Sequence, residues 1–155
     1  MAEKHKNRSL IPKSASNNNS KTNYLNKNIS KIESWQGEGN SATVFVSLRY
    51  LQDDFQCFSS WDRSEMKCFW DFNRKVHDYT WQNILEQGGK AGNKVGFGYT
   101  IIPRELYPNQ EFLQSISPDA NIFEMRASQV IRLHGFRVRS VFYVCWLDRN
   151  HEICV

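Results

Sequence analysis

Between residues 121 and 155 the chain places five arginines and two histidines among β-branched and aromatic residues, in the run NIFEMRASQVIRLHGFRVRSVFYVCWLDRNHEICV. Before Gly135, Ile131 and Leu133 alternate with Arg132 and His134; after it, Phe136 and Val138 alternate with Arg137 and Arg139. The apolar positions therefore change phase at Gly135, and an unbroken strand would drive half of the arginines into the core. A one-residue bulge at Gly135 removes the conflict, because an interior glycine is where a strand most readily takes an extra residue. The expectation is that Arg132, His134, Arg137 and Arg139 share one face, with Ile131, Leu133, Phe136 and Val138 on the other. A cationic ridge of this kind on a packed sheet suits a phosphate backbone.

The same residues have plainer structural readings. Arg132 and Arg139 can pair with Glu124, Asp148 or Glu152 as surface ion pairs worth at most about 1 kcal/mol. His134 can satisfy a backbone carbonyl at the bulge. Asp148-Arg149-Asn150-His151 has the composition of a turn between strands.

Periodicity gives the elements that must position these side chains. Residues 43–51 (TVFVSLRYL) are rich in β-formers and read as a strand. A helix follows over 62–79, with Ser59, Ser60 or Asp62 as its cap and Met66, Phe69, Trp70, Asn73 and Val76 along its inward face. Thr80 caps a second helix over 81–87, ended by Gly88 and Gly89. Residues 88–108 read as a flexible glycine-rich loop with a short strand over 97–102, and 109–117 as a turn or two of helix. Strands are expected over 122–127, 129–139, 141–147 and 152–155, the third being apolar on both faces and hence interior. The class is α+β: a strand, two helices, then an antiparallel meander of three to four strands packed on the helices, with the arginines on the face left open.

Charge is unevenly placed. Residues 1–40 carry seven Lys/Arg against three Asp/Glu, so the formal +4 excess of the 155-residue chain lies there. That stretch is rich in Asn, Ser and Lys, has no apolar period, and reads as a disordered basic tail preceding a single domain over 41–155. The other 115 residues carry thirteen charges of each sign, so basicity in the domain is local. No apolar leader follows Met1 and no run approaches the roughly 18 apolar residues of a membrane helix, which points to a cytoplasmic chain with reduced thiols and no membrane partner.

Several chemistries lack their spacing. The four cysteines form no C-x-x-C pair, and His151-x-x-Cys154 has no second half, so no metal site is expected. Residues 88–108 lack the G-x-x-x-x-G-K-[ST] phosphate loop, and Gly96-Phe97-Gly98 alone is too short for a dinucleotide site. Pro118-Asp119 and Glu124-Met125-Arg126 imitate a metal-nuclease pattern with too short a gap and arginine in place of lysine. No cofactor is implied.

The strand–helix–helix–meander layout, the run Ile122-Phe123-Glu124-Met125-Arg126, the arginine-bearing strand after it and the polar segment Leu147-Asp148-Arg149-Asn150-His151 together resemble the RelE/ParE toxin superfamily. The likeness covers 43–155 in layout and 122–155 in residues. The chain departs from that family in its tail, its glycine-rich loop and its Cys154-Val155 ending. The resemblance implies metal-independent endoribonucleolytic cleavage of mRNA, by attack of a ribose 2′-hydroxyl on the neighbouring phosphate. It implies His151 and His134 as proton-transfer groups, since imidazole titrates nearest neutral pH. Glu124 would be a base or an orienting group. Arg132, Arg137 and Arg139 would supply the cations, with Arg126 a further candidate and Arg137 the catalytic one, and Arg126, Arg132, Arg137, Arg139 and Arg149 would contact the nucleic acid. It also implies RNA met on the ribosome, and an antitoxin-like protein partner. Two other readings stand beside it: a non-enzymatic nucleic-acid-binding module using the arginine face, and a protein-interaction domain.

Overall fold

The computed structural model describes residues 39–87 and 96–154. The basic tail up to residue 38 and the loop segment 88–95 lie outside the described residues. Helix α1, Arg63–Val76, starts at a reciprocal cap: the Asp62 carboxylate accepts the Ser64 and Glu65 amides at 2.7 and 2.9 Å, and the Glu65 carboxylate accepts the Asp62 amide at 2.8 Å. The bond from the Glu65 amide holds the Asp62 carboxyl below its usual range. The helix is rotated from the expected stripe. Phe72 and Val76 are buried with Cys68 and Phe69 beside them, whereas Met66 and Trp70 are 37% and 59% exposed. Both stripes have helical spacing; the buried one meets Phe58 and Phe97, whose rings lie edge-on to Phe69 at 4.9 Å and to Phe72 at 5.4 Å. Helix α2, Trp81–Gln87, lies where the sequence places it, with Thr80 and Asn83 exchanging side-chain-to-amide hydrogen bonds at its start.

Five strands make one mixed sheet in the order β1-β5-β4-β3-β2: β1 Phe45–Ser47, β2 Thr100–Ile101, β3 Ile122–Arg126, β4 Arg132–Val138 and β5 Val141–Asp148. β1 runs parallel to β5 and every other pairing is antiparallel. The α+β class and the meander are as expected, and β5 is interior, as its two-sided apolar pattern requires. The strand expected over 43–51 shortens to three residues because the chain turns after Ser47, with the Leu51 amide on the Leu48 carbonyl. Residues 152–154 form no strand, since the Asp148 carboxylate takes the Glu152 and Ile153 amides into a turn at 2.8 and 2.9 Å.

The register breaks at Gly135, but the extra residue lies on the neighbouring strand. β4 pairs with β3 without interruption, from Ile122 opposite Phe136 to Arg126 opposite Arg132. Against β5, His134 faces Trp146 while Gly135 faces Val144, so Cys145 is the bulged residue. Cys145 and Trp146 consequently share one side of the sheet, both in the same apolar cluster. The Cys145 carbonyl accepts the Gln52 amide at 2.8 Å. Gly135 is required beneath this bulge, because a Cβ there would land on the Tyr143 carbonyl oxygen and within 3.1 Å of the Phe142 ring.

With β4 regular, its side chains simply alternate, and the expected arginine ridge does not form. Leu133 and Arg137 face the helices, where the Arg137 guanidinium lies 4.4 Å from the centre of the Trp81 ring. Arg132, His134 and Phe136 face the other way. That second face is covered too, which corrects the expectation of an open one. Ile102, Tyr107, Leu113 and Ile116, from the segment after β2, join Trp146 and Ile153 in a second apolar cluster. Helix α3, Gln110–Gln114, sits in this cover, capped by Asn109 accepting the Phe112 amide at 2.8 Å. The Arg104 guanidinium ties off its far end on the carbonyls of Leu113, Ile116 and Ser117.

Candidate active site

On the second face, the register alone gathers a polar group inside an apolar surround. β3 sets Glu124 opposite His134, and β5 sets Trp146 opposite His134 and Asp148 opposite Arg132. Glu124, Arg132, His134 and Asp148 are all buried, and His134 and Asp148 completely so. Beyond β5, the turn that Asp148 closes carries His151 at a left-handed φ of 57°. This swings the His151 ring back over the sheet.

One oxygen is the centre of the arrangement. Glu124 Oε2 lies 3.6 Å from His151 Nε2 and 3.9 Å from His134 Nε2. The other oxygen, Oε1, lies 3.8 Å from Arg132 Nε. His134 Nε2 is also 3.5 Å from Asp148 Oδ2, and its Nδ1 is 3.2 Å from the Tyr107 hydroxyl. Arg132 Nη1 donates to the carbonyls of Ser128, Gln129 and Ile131, which fixes the guanidinium across the end of β4. Glu124 Oε2, His134 Nε2 and Trp146 Nε1 are buried without a hydrogen-bond partner from the chain. Buried polar atoms are ordinarily paired, so these three on one sheet face call for a partner from outside the chain, such as water or a ligand.

Burial by itself would raise the Asp148 carboxyl, but the His134 contact and the Ile153 and Glu152 amides outweigh it and hold the group below its usual range. Burial, and then the nearby Glu124 carboxylate, push the Tyr107 phenol far above its usual value. Tyr107 therefore keeps its proton, and its hydroxyl lies within hydrogen-bond distance of His134 Nδ1 while Nε2 faces the two carboxylates. Burial lowers the Arg132 guanidinium somewhat and Glu124 works against that shift. His151, whose side chain is 36% exposed, is the ring that reaches solvent.

Of the residues expected from sequence, Glu124, His134, His151 and Arg132 are brought together. Arg126 stands opposite Arg132 at the end of β3, with its guanidinium against Gly98, where an added Cβ would lie 3.3 Å from Nη2. Arg137 is on the other face, donating to Asn40 Oδ1, the Gly39 carbonyl and the Arg139 carbonyl at 2.7, 2.8 and 2.6 Å. Arg149 is held by Glu65 at 2.8 Å and by the Ser60 carbonyl at 2.6 Å. Arg139 is exposed at the β4–β5 connection with a φ of 53°. Asp148, expected as a turn residue or as an ion-pair partner of Arg132 or Arg139, closes the turn, and its Oδ2 also faces His134. Tyr107 gave no signal, lying 27 positions from His134 in a stretch read as loop.

Among the described residues no group of three or more His, Cys, Asp or Glu side chains is arranged to hold a metal ion, and no helix is long and apolar enough to cross a membrane. No protein-family model, curated protein or solved structure matches the chain.

Proposed function

We propose that the chain is a RelE/ParE-like endoribonuclease whose working group is His151, backed by Glu124. The observation that carries this reading is the single carboxylate oxygen facing two imidazoles, within a buried group that also holds Arg132 and Asp148. Glu124 lies against His151 Nε2, which leaves Nδ1 as the nitrogen that works on substrate. That nitrogen takes the proton of a ribose 2′-hydroxyl as its oxygen attacks the neighbouring phosphorus. The bond from phosphorus to the 5′-oxygen breaks, giving a 2′,3′-cyclic phosphate and a 5′-hydroxyl that gains its proton from water. Glu124 stabilises the imidazolium formed, and the buried His134–Asp148 pair with Arg132 fixes the Glu124 carboxylate. A binding module built on the arginine ridge loses its basis, because Arg132 and Arg137 lie on opposite faces.

The test is the integrity of a reporter mRNA in a translating extract supplied with the purified chain. Discrete cleavage is expected, reduced about 100-fold or more in His151→Ala and Glu124→Gln proteins that remain folded. Intact mRNA with undiminished translation overturns the reading.

A further inference from the structure

On the same sheet face, next to the polar group, a cavity of about 410 Å³ opens between α3 and the sheet. Its floor is aromatic. Phe136 and Tyr143 stack at 5.3 Å and 22°, and the Tyr50 ring leans over both at 5.8 and 5.2 Å. Ser115 and Ser117 lie along the α3 side. The Ser115 hydroxyl donates to the Phe112 carbonyl at 2.6 Å, so its oxygen still has lone pairs to offer. One cation stands beside the floor: the Arg49 guanidinium is 5.6 Å from the centre of the Tyr50 ring. No carboxylate lines the cavity. Phe136 is two residues from His134 on the same side of β4, a step of about 6.6 Å, and Phe112, which lines the cavity, lies edge-on at 5.5 Å to Trp146, the residue opposite His134.

We infer that this cavity is a nucleobase subsite for single-stranded RNA, holding a base adjacent to the nucleotide presented to His151. An apolar, ring-lined floor takes the flat face of any base, and volumes of this order are those of small-ligand pockets. The Arg49 guanidinium beside Tyr50 matches a phosphate next to a bound base, which an apolar peptide side chain would not need. Tyr50 is the wall that a ligand meets first. It is 37% exposed, so it can be cut back without opening the core. This inference rests on the RNA reading and names its substrate contact.

The experiment uses the full chain and an end-labelled single-stranded hexamer with 2′-O-methyl riboses, which cannot be cut by 2′-hydroxyl attack. Fluorescence anisotropy compares the intact hexamer with versions carrying one abasic position. Loss of a stacked base should weaken binding on the order of ten-fold at one position. Tyr50→Ala should weaken the intact hexamer by a similar factor and leave that abasic version unchanged, while Tyr50→Phe keeps the preference. Equal affinity for intact and abasic hexamers at every position overturns the subsite; if the wild type still cleaves reporter mRNA, the nuclease reading survives it. Absence of both binding and cleavage removes the two together. Concentration-dependent dimerisation lost in Tyr50→Ala, with no base preference, assigns the cavity to a second copy and overturns the inference.

Discussion

Arg137 shows how far a residue's chemistry depends on the side of the sheet it leaves from. Its type and neighbourhood in sequence suggest a phosphate contact, yet its guanidinium lies over the Trp81 ring and donates to Asn40 and Gly39. Arg137→Ala should cost about 2 kcal/mol of stability through the lost cation–π contact and charged hydrogen bonds, visible in denaturant unfolding. Turnover per folded molecule should not change. Asp148 carries the opposite lesson, a turn residue that also supports the site. Its folded carboxyl titrates below its unfolded value, so its contribution to stability is fully present above the unfolded value near pH 4 and fades as pH falls through the lower folded one. Asp148→Asn should therefore be less stable than wild type at neutral pH, with the gap closing on acidification below about pH 4. A gap constant down to pH 2 would mean that the carboxylate's charge contributes nothing.

Between β4 and β5, one doubled position sets which side chains reach the site. The bulge at Cys145 brings Trp146 to the face of His134 and Asp148 to that of Arg132, and it works only because Gly135 leaves room for the Tyr143 carbonyl. Gly135→Ala forces that carbonyl aside and should cost about 3 kcal/mol, read as a fall in Tm, because overpacking of a rigid backbone contact is relieved poorly. The phase change was legible in β4, but the strand holding the extra residue was not. Every residue from Val141 to Leu147 is apolar, aromatic or cysteine, so nothing in β5 contrasts in polarity to mark Cys145 and Trp146 as sharing a side. The same holds for α1, where two aromatic stripes fit the helical period and only contact with Phe58 and Phe97 selects between them. Starts were easier to read than faces. Asp62 and Thr80 announce their helices through local hydrogen bonds that need no tertiary partner.

For the molecule as a whole, the covered second face limits how RNA, on the proposed reading, can approach. Ile102, Tyr107, Leu113 and Ile116 follow no period, so their joint role as a lid over the sheet exists only in three dimensions, and Tyr107 was unreadable for that reason. Glu124, His134 and His151 could be named beforehand because titratable groups among strand residues stand out by type alone. With Arg137 and Arg149 engaged inside the fold, RNA affinity should keep its salt dependence when either is changed to alanine. Arg139→Gly, which tolerates the φ of 53°, should lower the slope by about one. Slopes falling by one unit for Arg137 would instead place it on phosphate.

The parallel pairing of β1 with β5 has a consequence for how the chain assembles. Phe45 meets Val141, 96 positions later, whereas Val138 meets Val141 across a two-residue connection. Closing the long loop costs more entropy than closing the short one, and non-local pairing of this kind is slow. The meander of β3, β4 and β5 is thus the natural nucleus, and β1 arrives last. Until it does, the outer edge of β5 is an unpaired, apolar strand able to recruit the β1 of another copy. The protein's vulnerable moment is that interval, which closes when Phe45–Ser47 docks on β5.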